Sequence, residues 1–410
     1  MPPGSEGAYG DLFGLVLTTD ALADATSDHA WLRAMLDFER ALAVCEARAG
    51  AVPPDAAASI EKACLATEDF DVRRLGREGR LSGNPAVALV NELRRRLPAD
   101  IARWAHFGAT SQDVVDTAAA LVLRKVLLIA QADSSRAAEA AAGLAGRYRD
   151  APIAARTLLR HALPTTFGRK AAGWLLALLD SRDRLAYVRL KCLAVQLGGP
   201  AGTLSALGDQ GPRILEMLAS ELGLAAPVLP WHTDRARFVE ATAALAICAG
   251  TAAKIAIDIS LLMQDEVGEV SEPAAEGRGA SSSMPHKRNP AMAASVGAAW
   301  RLAQGHQAVL LGAMAQEHER AAGAWQAEAD ALTGMCRTAG GAVAVTADIL
   351  SGLEVDVERM RSNLESYSRG RGTPTAKGAG PLEPDDADIR ASQLLVDRAL
   401  AYHRARGHEQ

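Results

Sequence analysis

The chain has 410 residues, of which 49% are hydrophobic, 23% charged and only 4% aromatic; that is the balance of a packed globular protein, too poor in aromatics for a sheet-rich fold. Forty-four basic residues against 49 acidic ones give a net charge of −5, which builds no basic face for nucleic acid. At this length one core would be unusual, so two or three domains are expected. The segment Met1–Asp11 has neither a basic region nor an apolar core, so no secretory signal is read there and the cytoplasm is the expected location. From Trp31 to Ala49 the apolar positions Met35, Phe38, Leu42 and Cys45 recur at three- and four-residue steps, one face of a helix. Ser111–Ala142 contains no Gly or Pro and keeps that period through Val115, Ala118, Val122 and Val126; at ~1.5 Å per residue it predicts a helix roughly 50 Å long. Similar segments follow at Phe167–Leu197, Ala236–Val267, Ala291–Met335 and Val343–Glu365. A break rich in Gly, Pro and Arg, Ser366–Pro384, then precedes a last short helix, Asp385–Ala405. No uninterrupted apolar stretch reaches the ~18–20 residues of a membrane span, so no membrane partner is expected. Long helices rich in Ala and Leu cannot all wrap one small core. They predict an all-α protein, an extended bundle whose remaining apolar faces are covered by other subunits.

The five cysteines (Cys45, Cys64, Cys192, Cys248 and Cys336) are scattered and form no C-x-x-C pair, so they read as buried free thiols and not as metal ligands. The chain has no P-loop and no H-E-x-x-H, and Gly370-Arg-Gly372 and Gly277-Arg-Gly279 lack the third glycine of a dinucleotide fingerprint. Three interruptions between the helices carry polar chemistry: Trp104–Asp113, Arg156–Thr166 and Gly268–Pro290. In the third, Ser281 and Ser282 lie on a Gly/Ser loop and are followed by Met284-Pro285, Lys287 and Asn289. A serine acts as a base only where its alkoxide is stabilised, and loop amides with a nearby ammonium supply that field in a closed, dry site. Lys287 suits the charge that builds on a carboxylate oxygen when the adjacent carbon loses its proton, and Asn289 suits the same group by hydrogen bonding. A hydrophilic linker with a chance lysine is the plainer reading of these residues.

The third loop resembles the signature of the fumarase/aspartase superfamily, G-S-S-x-M-P-x-K-x-N, and departs from it at one fixed position, where Ala280 stands for glycine. HFGATSQDVVDTA (His106–Ala118) and RTLLRHALPTTFG (Arg156–Gly168) resemble the superfamily's other two active-site segments, in the family's order. Within the superfamily, GGPAGTLSALGDQG (Gly198–Gly211), PWHTDRARF (Pro230–Phe238), LLMQDEVGEVSEP (Leu261–Pro273) and EHERAAGAWQAE (Glu317–Glu328) are most similar to the bacterial 3-carboxy-cis,cis-muconate cycloisomerases. Ala294, where the superfamily often has glutamate, fits that branch.

The resemblance implies a fumarase/aspartase-like fold: a homotetramer around a central bundle of long helices, each active site collecting the three segments from three subunits. The expected division is an N-terminal helical domain (1–111), a central bundle (112–353) with the catalytic loop 268–290, and a short C-terminal domain (354–410), shorter than the cycloisomerase pattern. Ser281 would be the catalytic base or acid, and Lys287 and Asn289 would hold the aci-carboxylate. Ser282, Met284, Thr157 and His106 would line the substrate. Thr110 and Ser111 would bind a substrate carboxylate; Thr110-x-x-Asp113 also reads as a capping box, and helix N-termini bind anions. Arg320 is either a second anion clamp or an ion-pair residue, and His161 either binds substrate or is structural.

Two departures bear on substrate. Leu158 stands where many superfamily lyases have the histidine that protonates the leaving group, and Arg160 stands where glutamine is usual. Arg160 offers a planar fork suited to carboxylate or nitro oxygens. A carboxylate, whose conjugate acid has a pKa of ~4, leaves without a proton, whereas hydroxide or an amine needs a general acid. The leading expectation is therefore cycloisomerisation of 3-carboxy-cis,cis-muconate, a small polycarboxylate, with neither cofactor nor metal needed. The alternatives are a lyase expelling a weakly basic anion such as nitrite from a substituted succinate to give fumarate, and a non-catalytic family member.

Overall fold

The computed structural model describes residues 11–275, 279, 288–370 and 387–407. Among these the chain is all-α apart from two small ladders. In order the helices are α1 (Asp11–Gly14), α2 (Asp20–Ala25), α3 (Asp28–Arg48), α4 (Pro54–Leu65), α5 (Val72–Gly79), α6 (Ala86–Arg95), α7 (Ala99–Ala102) and α8 (Ser111–Arg147). After the strands β1 (Pro152–Thr157) and β2 (Arg160–Thr166) come α9 (Phe167–Lys191), α10 (Gly211–Leu222) and α11 (Ala236–Leu262). The strand β3 (Val270–Ser271), the helices α12 (Ala291–Gly312) and α13 (Ala324–Ser351), the strand β4 (Glu354–Val355), and α14 (Val357–Gly370) and α15 (Ala387–Gly407) complete it. The chain divides into two compact units. One comprises Met1–Ile129, Leu185–Ala246 and Leu302–Gly340, the other Ala130–Arg184, Ile247–Arg301 and Gly341–Gln410.

In the first unit α3 is capped by Ser27, whose Oγ accepts from the Ala30 N–H at 3.2 Å; this satisfies one of the donors a helix start leaves open. The expected stripe of Met35, Phe38, Leu42 and Cys45 is buried. It packs with Ile60 and Cys64 of α4, Leu89 and Leu93 of α6, Val114 and Ala118 of α8, and Ile214 and Leu218 of α10. Each fully buried Leu, Ile or Phe contributes about 1.5–3 kcal/mol over an exposed one. Helices α4 to α7 fill a stretch for which the apolar period names no element.

In the second unit β1 and β2 form an antiparallel hairpin, paired from Pro152↔Thr166 to Thr157↔Arg160 with an irregularity between Ala154 and Arg156. It stands where the sequence predicts only an interruption. α14 lies against β1 and α15 against β2. Phe167 makes edge-to-face contacts with Tyr148 (5.6 Å) and Trp174 (5.8 Å), and the Trp174 indole N–H donates to Asp258 Oδ2 at 2.8 Å.

Two expected helices are each broken. Ala291–Met335 is α12 and the start of α13, separated at 313–323, where Glu317 accepts from the Ala322 N–H at 3.0 Å and the Gln316 amide donates to the Ala313 carbonyl at 3.0 Å. α13 then continues unbroken through the Gly340-Gly341 pair; a Cβ on Gly340 would meet Leu22 Cδ1 at 2.8 Å. Val343–Glu365 breaks after Ser351, where β4 pairs with β3 and Asp356 caps α14 by accepting from the Arg359 N–H at 2.8 Å. By length and composition α11 is apolar enough to cross a membrane, and 56% of its most apolar window is buried within the protein. All five cysteines are free and buried, as expected, and burial above all pushes Cys45 and Cys248 up to about 11, which leaves them inert as nucleophiles.

Candidate active site

The first unit carries the His106–Ala118 segment. At the start of α8 the Asp113 side chain turns back, so that its Oδ2 accepts from the Thr110 N–H at 3.0 Å, the reciprocal half of a capping box. The same oxygen accepts from the Gly199 N–H at 2.9 Å. Oδ1 accepts from the Gly198 N–H (3.1 Å), His232 Nε2 (2.7 Å) and the Gln196 amide (3.3 Å). Asp113 is wholly buried and fully occupied as an acceptor, so it is a strut, not a proton carrier. It ties the start of α8 to the loop at Gly198–Gly199. Gly199 has φ +70°, and a Cβ there would lie 2.8 Å from the Gly108 carbonyl oxygen, an approach only glycine allows.

Around this strut the structure gathers four of the expected site residues. Thr110 and Ser111 open α8, whose first N–H groups and aligned peptide dipoles favour an anion. Arg320 donates through Nη2 to the Gly199 carbonyl at 3.0 Å, while its Nε is buried without a hydrogen-bond partner among the described residues. Burial disfavours the Arg320 charge, and Asp113 and Asp116 oppose that effect. An orphaned guanidinium donor fits the clamp reading better than the ion-pair reading, since no carboxylate pairs with Arg320 among the described residues. His106, with φ +63°, places Nδ1 2.7 Å from Glu39 Oε1. Burial is the largest effect and disfavours its charged form, but Glu39 and then Asp113 together hold the ring above its ordinary value.

Below lies a buried ion cluster that the sequence does not single out. Arg235, 1% exposed, grips Asp116 with Nη1 (2.7 Å) and Nη2 (2.9 Å) and Glu328 with Nε (2.9 Å). Trp325 Nε1 donates to Asp116 Oδ1 at 2.9 Å. This cluster pins α8, the Trp231–Arg235 turn and α13 together. Its traces in the sequence are Asp116 three residues after Asp113, one turn along the same face, and the segments Pro230–Phe238 and Glu317–Glu328 that carry Arg235, Trp325 and Glu328.

The second unit carries the other two segments. Thr157 and Arg160 are the last cross-strand pair of the hairpin, and Leu158 and Leu159 form its turn with φ +49° and +61°. Leu158 is 97% exposed and Arg160 is exposed beside it. His161 is half-buried, and burial followed by the Arg156 charge lowers its pKa. Behind it Arg156 makes a two-pronged ion pair with the buried Glu269 (2.8 and 2.7 Å), and the Asn363 amide donates to Glu269 Oε1 at 2.9 Å. Glu272 caps α12, accepting from the Met292 (3.1 Å) and Ala293 (2.7 Å) N–H groups. Just before that cap the Asn289 side-chain amide donates to the Gly279 carbonyl at 3.2 Å. Ser281, Ser282, Met284 and Lys287 lie outside the described residues.

The expected residues thus fall into two groups, His106, Thr110, Ser111 and Arg320 in one unit and Thr157, Arg160, His161 and Asn289 in the other. No set of three His, Cys, Asp or Glu side chains suited to a metal occurs among the described residues. Chemically, the first group brings a helix start and two cationic side chains together, and the second presents a cation beside an aprotic hairpin tip.

Comparison with known proteins agrees with the motifs. The profile of a family described as Lyase matches residues 15–303. The 3-carboxy-cis,cis-muconate cycloisomerase of Bradyrhizobium diazoefficiens is 47% identical over 362 residues, covering 88% of this chain and 80% of that protein. A nitrosuccinate lyase of Streptomyces davaonensis is 45% identical over 352 residues, covering 83% and 74%. Among solved structures, the 3-carboxy-cis,cis-muconate lactonizing enzyme of Pseudomonas putida superposes with a TM-score of 0.82 at 39% identity, covering 96% of this chain and 88% of that one.

Proposed function

The chain belongs to the lyase family of the fumarase/aspartase superfamily, and from that membership we propose that it is a 3-carboxy-cis,cis-muconate cycloisomerase. One carboxylate of the substrate adds through oxygen to the diene. The displaced electron pair moves into the adjacent carboxylate, giving an aci-carboxylate held by Lys287 and Asn289. Ser281 then delivers a proton to carbon and 4-carboxymuconolactone results. In reverse, Ser281 removes that proton and the ring carboxylate leaves as an anion. Thr110, Ser111 and Arg320 hold a carboxylate that does not react, with Ser282, Met284 and Thr157 lining the substrate and His161 beside it on the hairpin. Arg160 receives another substrate oxygen pair through its fork.

One observation carries the reading beyond the family. The hairpin tip presents Leu158, fully extended to its surroundings and unable to donate a proton, so the leaving group must be stable as an anion. A ring carboxylate meets that demand. The same tip is compatible with loss of nitrite, and the likeness to the nitrosuccinate lyase keeps that reaction as the second reading.

The enzyme works as four identical chains whose active sites each draw on three of them, and its location is the cytoplasm. The exposed tip of the hairpin supports the shared site, because Leu158 is 97% exposed among the described residues. Purified protein incubated with 3-carboxy-cis,cis-muconate tests the reading: diene absorbance should fall and lactone appear without added cofactor. Ser281→Ala should keep the fold and lose about 10²–10⁴-fold in turnover. Normal turnover by Ser281→Ala would make the loop a linker.

A further inference from the structure

His106 sits where a residue with a side chain rarely goes, in the left-handed region at φ +63°. Such a conformation persists only where surrounding contacts support it, and the His106 side chain is engaged by Glu39 in the middle of α3. The imidazole Nδ1 lies 2.7 Å from Glu39 Oε1. A carboxylate oxygen can only accept, so Nδ1 carries the proton and Nε2 faces away from α3. Glu39 is 1% exposed, and its second oxygen has no hydrogen-bond partner among the described residues. The imidazole is therefore the one group hydrogen-bonded to this buried carboxylate among the described residues, and a buried anion with a single partner favours a cation there.

Three charged groups face the ring: Glu39 from α3, Asp113 from α8 and Arg94 from α6. Arg94 anchors the same loop by donating to the Ala105 carbonyl at 3.0 Å, and its charge opposes that of the two carboxylates. Asp113 is already saturated by the strut contacts. Glu46, the next buried acid on α3, is pushed up to about 9 by burial and then by Glu39 itself, so it is neutral at physiological pH and does not compete for the ring.

We propose that Glu39 is a positioning residue for the reaction: it locks His106 with Nδ1 towards α3, favours the imidazolium form as the buried carboxylate's partner, and so presents Nε2–H to a carboxylate of the substrate bound at Thr110 and Ser111. The substrate half of this inference rests on the cycloisomerase reading; the Glu39–His106 dyad does not.

The test uses the full-length protein. Histidine-labelled NMR, with the His106 signal assigned by its loss in His106→Gln, gives the ring's titration midpoint. In the wild type the midpoint should lie above the ordinary ~6.5; a lower value overturns the proposal without any Glu39 variant. Glu39→Gln keeps an acceptor and the shape but removes the charge, so the midpoint should fall by about one unit, a tenfold change in proton affinity, and Glu39→Asp should restore part of it. With 3-carboxy-cis,cis-muconate at about pH 8, Glu39→Gln should raise KM about tenfold with kcat within about twofold. The KM difference should shrink below about pH 6, where the variant's ring is protonated again. An unchanged midpoint overturns the dyad. A shifted midpoint with an unchanged KM profile overturns the substrate contact, and a change confined to melting temperature makes Glu39 merely structural and overturns the positioning role. A wild type inert towards carboxymuconate would sink the cycloisomerase reading, while the NMR titration would still decide the dyad.

Discussion

Glu46 gives the residue scale its sharpest pH dependence. It is wholly buried, and neither carboxyl oxygen has a hydrogen-bond partner among the described residues. Burial first and Glu39 second push it from 4.5 up to about 9. Between those values the folded chain keeps a proton that the unfolded chain has lost, so stability present below the lower value is lost as pH rises towards the upper one. Glu46→Gln removes this liability and should stabilise by on the order of 1–3 kcal/mol near neutral pH. Thermal melts should show the variant ahead at about pH 8 and level with the wild type at about pH 4. An offset that does not vary with pH would contradict the assignment. The residues that hold the site in place were the hardest to read from sequence. Asp113 is legible as a capping residue, but not as the hub of five hydrogen bonds, because Gly198, Gly199, Gln196 and His232 reach it only through the fold. The spacing of Arg320 is equally compatible with an anion clamp and an ion pair, and its buried Nε, without a hydrogen-bond partner among the described residues, is a feature no spacing encodes.

At the scale of elements, the β1–β2 hairpin departs furthest from expectation and offers the clearest trade-off. Its two-residue turn holds both Leu158 and Leu159 at positive φ, the geometry that ordinarily calls for Asn-Gly. Each leucine in that region costs about 1–2 kcal/mol relative to a permissive residue. Replacing the pair, Leu158→Asn with Leu159→Gly, should therefore raise the melting temperature and lower kcat/KM, since an apolar tip is exchanged for a polar one. Calorimetry together with steady-state kinetics reads both effects. A destabilised hairpin, or unchanged activity, would count against a role for the tip. The long helices α8, α9 and α11 were legible because uninterrupted apolar periods fix them from within. The break at 313–323 was not, because the Ala-rich period runs across it and the stop comes from local polar contacts of Gln316 and Glu317. The short strands β3 and β4 were equally hidden, being two residues each and paired across some eighty positions of sequence.

For the whole molecule, apolar side chains on the long helices remain exposed in the single chain. Leu176 and Leu190 on α9, Ile247 and Ile257 on α11, and Leu302 and Val309 on α12 are all exposed. Covering what remains exposed of each, roughly half a side chain, would contribute on the order of 1 kcal/mol apiece, which in sum favours association of long helices. Light scattering should give four times the chain mass, and an equimolar mixture of the two impaired variants Ser281→Ala and Arg160→Gln, refolded together, should regain part of the activity at substrate well below KM. A fully active monomer, or no recovery on mixing, would contradict the shared site. The central claim concerns what the site acts on, and it is tested most directly by kcat/KM for 3-carboxy-cis,cis-muconate, nitrosuccinate and malate measured side by side on one preparation. The expected order is carboxymuconate first, nitrosuccinate well below it, and malate, which needs a protonated leaving group, without detectable turnover. Efficient turnover of malate with carboxymuconate inert would contradict both the substrate assignment and the leaving-group argument drawn from Leu158.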